Sequence, residues 1–127
     1  ESIAALMRDE LALLETEQLR VLLLNTRRRL IRAEIVATGL LDQVLFHPRE
    51  VFRPAILAGA HAIAVVHNHP SGDPCPSDGD IRATSDLIRA GQLLRIELLD
   101  HVIIGRRTAG RSRDYCSLRE LGHFGGT

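Results

Sequence analysis

The sequence predicts an α/β sandwich built around one mixed β-sheet. Three observations carry that expectation. Apolar residues at helical spacing alternate along the chain with short, nearly continuous apolar runs of strand length, as a sheet flanked by helices requires. The 127 residues suit one domain, and 45% hydrophobic content is ordinary for a packed core. With three Phe, one Tyr and no Trp, that core must be aliphatic.

Residues 2 to about 15 read as a helix that Ser2 can cap, with Ile3, Leu6, Leu11 and Leu14 near one face. Residues 18–25, QLRVLLLN, have the length and apolarity of a buried strand. NTRRR supplies a turn, residues 29–38 pair back as the second strand of a hairpin, and Gly39 ends it. Pro48 to about Ala58 is the next helix, with Pro48 in the tolerated first turn and Val51, Phe52, Ala55 and Ile56 as its buried face. Pro54 removes one helical hydrogen bond and should kink or shorten that helix. Residues 61–67 return to β structure, where Ile63, Val65 and Val66 deliver His67 and His69 at the strand end. Residues 77–94 form a helix whose inner face is Ile81, Thr84, Leu87, Ile88 and Leu94, with Gly91 near its end. ELLDHVIIG, residues 97–105, is a strand, and residues 111–117 make the last one.

Charge and composition exclude several function classes. Net charge is zero, so no global field draws the chain to nucleic acid or to a membrane. Arg27, Arg28 and Arg29 form a compact basic patch, and Arg106, Arg107, Arg111 and Arg113 a looser one. Both runs are short and read as solvated surface rather than as phosphate sites, the first as a hairpin turn that keeps an edge from aggregating; no aromatic residues are interleaved for the base stacking of single-strand binders. Cys75 and Cys116 lack the CxxC spacing of a redox or metal motif and read as reduced thiols of a cytoplasmic protein. No apolar run reaches the length of a membrane span, and no signal peptide is visible. The chain opens on Glu1 rather than methionine, and the expectation from this is a fragment or a processed piece.

The chemistry concentrates in HNHPSGDPCPSDGD, residues 67–80. His67 and His69 leave the same face of a strand with Cα atoms about 7 Å apart, close enough for both imidazoles to meet one ion. Asp80 follows a loop that Pro70, Pro74 and Pro76 stiffen, which limits the entropy lost in holding a single ligand geometry. Two His and one Asp suit a catalytic zinc, which keeps a position for water, better than a structural zinc with four protein ligands. Cys75 is a small loop residue rather than a fourth ligand. Ser77 and Asp80 also match a capping box at the start of the following helix, and the two readings hold together. His47, His61, His101 and His123 read as structural; His101, inside an apolar strand, also fits a place behind the metal ligands. The literal string HNH carries little weight for a nuclease, whose HNH constellation is dispersed in sequence.

Residues His67, His69, Ser77 and Asp80 resemble the JAMM (MPN+) metallopeptidase signature, HxH followed by seven residues, S, two residues and D. The stretches LNTRRRLI, HPREVF, HNHPSGDPCPS, LLDHVIIG and SLRE resemble, in order, those of the bacterial RadC branch, over about residues 17–122. The resemblance implies a JAMM/MPN (cytidine deaminase-like) fold and a zinc hydrolase of amide bonds, a peptidase or isopeptidase. By motif position His67, His69 and Asp80 hold one Zn²⁺ with water in the fourth site. The family's acidic residue lies just before the first core strand, here Glu17, with Glu15 the neighbour it could be confused with. Such a carboxylate takes the proton of a zinc-acidified water and passes it on, and Ser77 donates to the developing oxyanion. The helix-hairpin-helix segment usual upstream in this family is absent from these residues, and Pro54 and Cys75 depart from its pattern. The expected partner is an unidentified protein or peptide, without direct DNA binding by this domain and without a membrane; a homo-oligomer stays open. The alternative is a DNA-repair accessory or interaction module with a structural or vestigial metal site, and a metal-dependent nuclease ranks third.

Overall fold

The computed structural model describes residues 2–39, 47–107 and 113–124. Five strands form one mixed sheet in the order β2-β1-β3-β4-β5. These are β1 (Gln18–Leu24), β2 (Leu30–Thr38), β3 (Ala62–Asn68), β4 (Glu97–Ile104) and β5 (Tyr115–Ser117), with helices α1 (Ser2–Leu11), α2 (Pro48–Ala58) and α3 (Asp78–Leu94). β3 and β4 run parallel, joined through α3, while the other neighbours are antiparallel. The expected α/β sandwich is therefore the observed one.

Every residue of β3 is buried, as befits a central strand covered on both faces, and this is why AIAVV reads as a continuous apolar run. On one face Leu19, Val21, Leu23, Ile63, Val65 and Ile103 meet α2 and α3. On the other, Leu22, Ala64, Val66, Val102, Ile104 and Tyr115 meet α1. By the period of two, His67 falls on the α3 side and Asn68 on the α1 side.

Several elements differ from expectation. α1 ends at Leu11 rather than near residue 15, and its seam is Ala4, Met7 and Leu11, with Leu6 49% exposed. The side chain of Ser2, expected as its cap, lies outside the described residues. α2 matches its expected bounds and runs through Pro54 without being shortened; His47 caps its start, the ring Nδ1 accepting from Arg49 N at 3.1 Å. Ile56 is exposed rather than buried, as is Leu94 of α3. Gly91 instead lies on the buried seam, because a Cβ there would come within 2.4 Å of the Ile96 carbonyl oxygen. The last strand is confined to Tyr115–Ser117; residues 111 and 112, and with them Arg111, lie outside the described part.

The arginine turn behaves as solvated surface. Asn25 Oδ1 accepts from the main-chain N–H groups of Arg27 and Arg29, and Arg28 pairs with Glu97 at 3.0 Å. Among the described residues no helix is long and apolar enough to cross a membrane.

Candidate metal centre

β3 delivers His67 in its last turn of pleat, His69 follows one residue past the strand, and α3 presents Asp80 in its first turn. The three side chains converge. His67 Nε2 lies 3.1 Å from His69 Nε2 and 3.5 Å from Asp80 Oδ1, and His69 Nε2 lies 3.2 Å from Asp80 Oδ2. One donor atom from each lies within 4.8 Å of the others, the one such group among the described residues. His67 is fully buried, while 17% of the His69 side chain remains exposed, so the cluster opens to solvent on the His69 side.

Asp80 also completes the capping box. Ser77 Oγ accepts from Asp80 N at 3.0 Å, and Asp80 Oδ2 accepts from Ser77 N at 2.9 Å. The cap holds the carboxylate in place, so the two readings of this motif are indeed one structure. The loop between His69 and Ser77 is pinned to the exit of β4. His69 N donates to the Ile104 carbonyl, Arg106 N to that of Gly72, and the Arg106 guanidinium to that of Pro70. His69 Nδ1 meets the Asp73 carbonyl at 2.9 Å; since a carbonyl only accepts, Nδ1 carries a proton.

The electrostatics fit a cation site. Burial alone would raise the Asp80 carboxyl, yet the His69 hydrogen bond, the His67 ring and the Ser77 N–H hold it well below the usual range. Burial pushes His67 well below its ordinary value, assisted by the neighbouring His101. His69 is raised, because its bonds to Asp80 and Asp73 outweigh burial. An anionic carboxylate and two imidazoles presenting Nε2 atoms match the hard-to-borderline donor set of zinc. The cluster suits one such ion per chain.

The antiparallel register sets Leu19 against His67, so Glu17, two residues earlier, comes level with His69. Burial raises the Glu17 carboxyl, which also feels the charges of His69 and Asp80, whereas Glu15 is exposed. Ser77 is exposed, and accepting from Asp80 N leaves its hydroxyl proton available. Cys75 is an exposed thiol outside the cluster, and His61 and His123 are exposed as well.

Around the cluster, Asn68 and Thr84 were not singled out for their contacts by sequence, and the role of His101 was left open between two readings. Asn68 is buried, its Oδ1 accepting from Gln18 N at 2.7 Å and its Nδ2 donating to the Thr16 carbonyl at 3.0 Å. It thereby grips the chain on both sides of Glu17. His101 Nε2 sits 2.8 Å from His67 Nδ1, and its Nδ1 sits 2.7 Å from Thr84 Oγ1. Of the two readings open for His101, the place behind a candidate ligand is the observed one.

The model of the RadC-like JAB domain matches residues 1–123, nearly the whole chain. The chain belongs to the RadC family. A UPF0758 protein of Caldanaerobacter subterraneus subsp. tengcongensis is 43% identical over 124 residues, 98% of this chain and 51% of that protein. One of Alkaliphilus metalliredigens is 45% identical over 120 residues, covering 94% and 49% respectively. Another, of Chlorobaculum tepidum, is 50% identical over 102 residues, covering 80% and 46%. This RadC-like chain thus spans about half the length of the curated relatives it matches, and its His-His-Asp cluster lies within the matched part.

Proposed function

We propose that this RadC-like domain is a zinc-dependent hydrolase of amide bonds, a peptidase or isopeptidase acting on a protein or peptide. The observation that carries the reading is the convergence of His67, His69 and Asp80 beside the half-buried carboxyl of Glu17. His67, His69 and Asp80 would hold the ion. A divalent ion bound there would supply a polarised water and a Lewis acid for the attacked carbonyl. Glu17 takes up the proton released on attack and returns it to the leaving amine; its raised pKa moves it toward the pH at which both transfers are efficient. Ser77, with its hydroxyl proton available, donates to the oxygen on which charge develops. We take residues 1–127 as one such domain, without direct DNA binding at zero net charge. Two cysteines, far apart in sequence and without a disulfide framework, support a cytoplasmic placement.

Elemental analysis of the purified chain tests the metal centre. One zinc per chain is expected, lost in both His67→Ala and Asp80→Ala; a wild-type chain that takes up no zinc would overturn the reading. On a fluorogenic peptide library, Glu17→Gln is expected to retain zinc while hydrolysis falls about 100-fold or more.

A further inference from the structure

Behind the cluster, a chain of hydrogen bonds can be read in only one direction. It begins at the main-chain carbonyl of Asp80, which can only accept, so Thr84 Oγ1 donates to it at 2.9 Å. Its one hydroxyl proton being used, Thr84 Oγ1 can only accept from His101 Nδ1 at 2.7 Å. A neutral imidazole carries one N–H, so His101 Nε2 is an acceptor, and the 2.8 Å contact is a donation from His67 Nδ1. By the same count His67 Nε2 carries no proton. Its lone pair faces His69 and Asp80.

Thr84, His67 and His101 are all fully buried, so bulk water does not substitute for a missing partner. The sheet explains why a relay is needed. His69, past the end of β3, reaches the Asp73 carbonyl directly. His67 lies within the strand, where neighbouring carbonyls are engaged in the ladder, and His101 on the adjacent parallel strand bridges the gap to α3.

We propose that Thr84 and His101 are positioning residues for the metal centre, which fix the tautomer of His67 and so keep its Nε2 lone pair directed at the ion. The inference rests on the metal-site reading above. It links two ligands in one circuit: the side chain of His67 is oriented by the main chain of Asp80. Partners of this kind behind a ligating histidine change metal affinity by about 10- to 100-fold.

The test uses the 127-residue chain as wild type, Thr84→Val, which keeps the shape but loses the hydroxyl, and Thr84→Ser, which keeps the hydroxyl. Zinc affinity is measured by competition with a chromophoric chelator, with thermal unfolding of the metal-free proteins alongside. Long-range ¹⁵N NMR of the metal-free wild type reads the ring tautomers. The expected results are protons on Nδ1 of both His67 and His101, zinc binding about 10- to 100-fold weaker in Thr84→Val, and near-wild-type binding in Thr84→Ser. A Thr84→Val chain that binds zinc as tightly as wild type would overturn the proposal. So would a His101 proton on Nε2, or equal loss in Thr84→Ser, which would assign the effect to packing. Failure of the metal-site reading looks different: the wild type itself takes up no zinc, and this inference falls with it.

Discussion

At the scale of single residues, Asn68 shows how much of a site can depend on a side chain that touches none of the chemistry. Its amide satisfies one N–H and one carbonyl of the segment that carries Glu17. Removing it leaves both groups without that partner, at about 1–3 kcal/mol for each that stays buried. Asn68→Ala is therefore expected to lower the urea midpoint and to speed amide exchange at Gln18, with zinc stoichiometry unchanged. Amide exchange as slow as in wild type would remove Asn68 from this role. The converging group His67, His69 and Asp80 was legible in the sequence because the spacing of one short motif encodes it, whereas Glu17 and Ser77 entered as catalytic candidates through the family resemblance. The place of His101 behind the ligands was one of two readings the sequence left open. The contacts of Asn68 and Thr84 were not legible, because their partners lie 50 and 17 residues away and only the folded sheet brings them together.

Among the elements, the strands were read more faithfully than the helix faces. A continuous apolar run such as AIAVV has one interpretation, whereas an apolar helix offers two or three overlapping stripes. The structure chooses stripes that include small residues: Ala4 in α1, Ala55 in α2, Ala83 and Gly91 in α3. Small side chains let a helix axis approach the sheet, and larger aliphatics such as Leu6, Ile56 and Leu94 are left at the flank. The same close approach pins the loop between β3 and α3. A Cβ on Gly105 would lie 2.2 Å from the Gly72 carbonyl oxygen and 2.9 Å from Pro74 Cδ. Gly105→Ala must therefore push the loop away from β4, costing about 1–3 kcal/mol as overpacking does. Because that loop spans His69 to Ser77, the variant is expected to weaken zinc binding as well as lower the unfolding midpoint. Unchanged zinc affinity would mean that Asp80 is placed by its cap alone.

For the molecule as a whole, the buried histidines make stability depend on pH in a direction the structure fixes. Unfolded, His67 and His101 titrate near their ordinary value of 6.5; folded, burial holds His101 at about 4 and His67 well below its ordinary value. Over the interval from 6.5 down toward 4 the unfolded chain binds up to two more protons than the folded one, so stability falls as pH falls. Glu17 opposes this by at most one proton, since its raised folded pKa makes the folded chain the better binder above 4.5. The contribution of Asp80, whose pKa is lowered, is present above 3.8 and is lost only below this interval. His69 acts on the other side: raised above 6.5, its contribution is complete below that value and is lost as pH rises through the folded pKa. Two protons against one decide the acid side, and His69 decides the alkaline side. The unfolding midpoint of the chelator-treated chain is therefore expected to peak near pH 6.5 and decline in both directions. Calorimetry across that range checks it, and a midpoint that rises on acidification from 6.5 toward 4 would mean that the His67–His101 pair is not held neutral inside the fold.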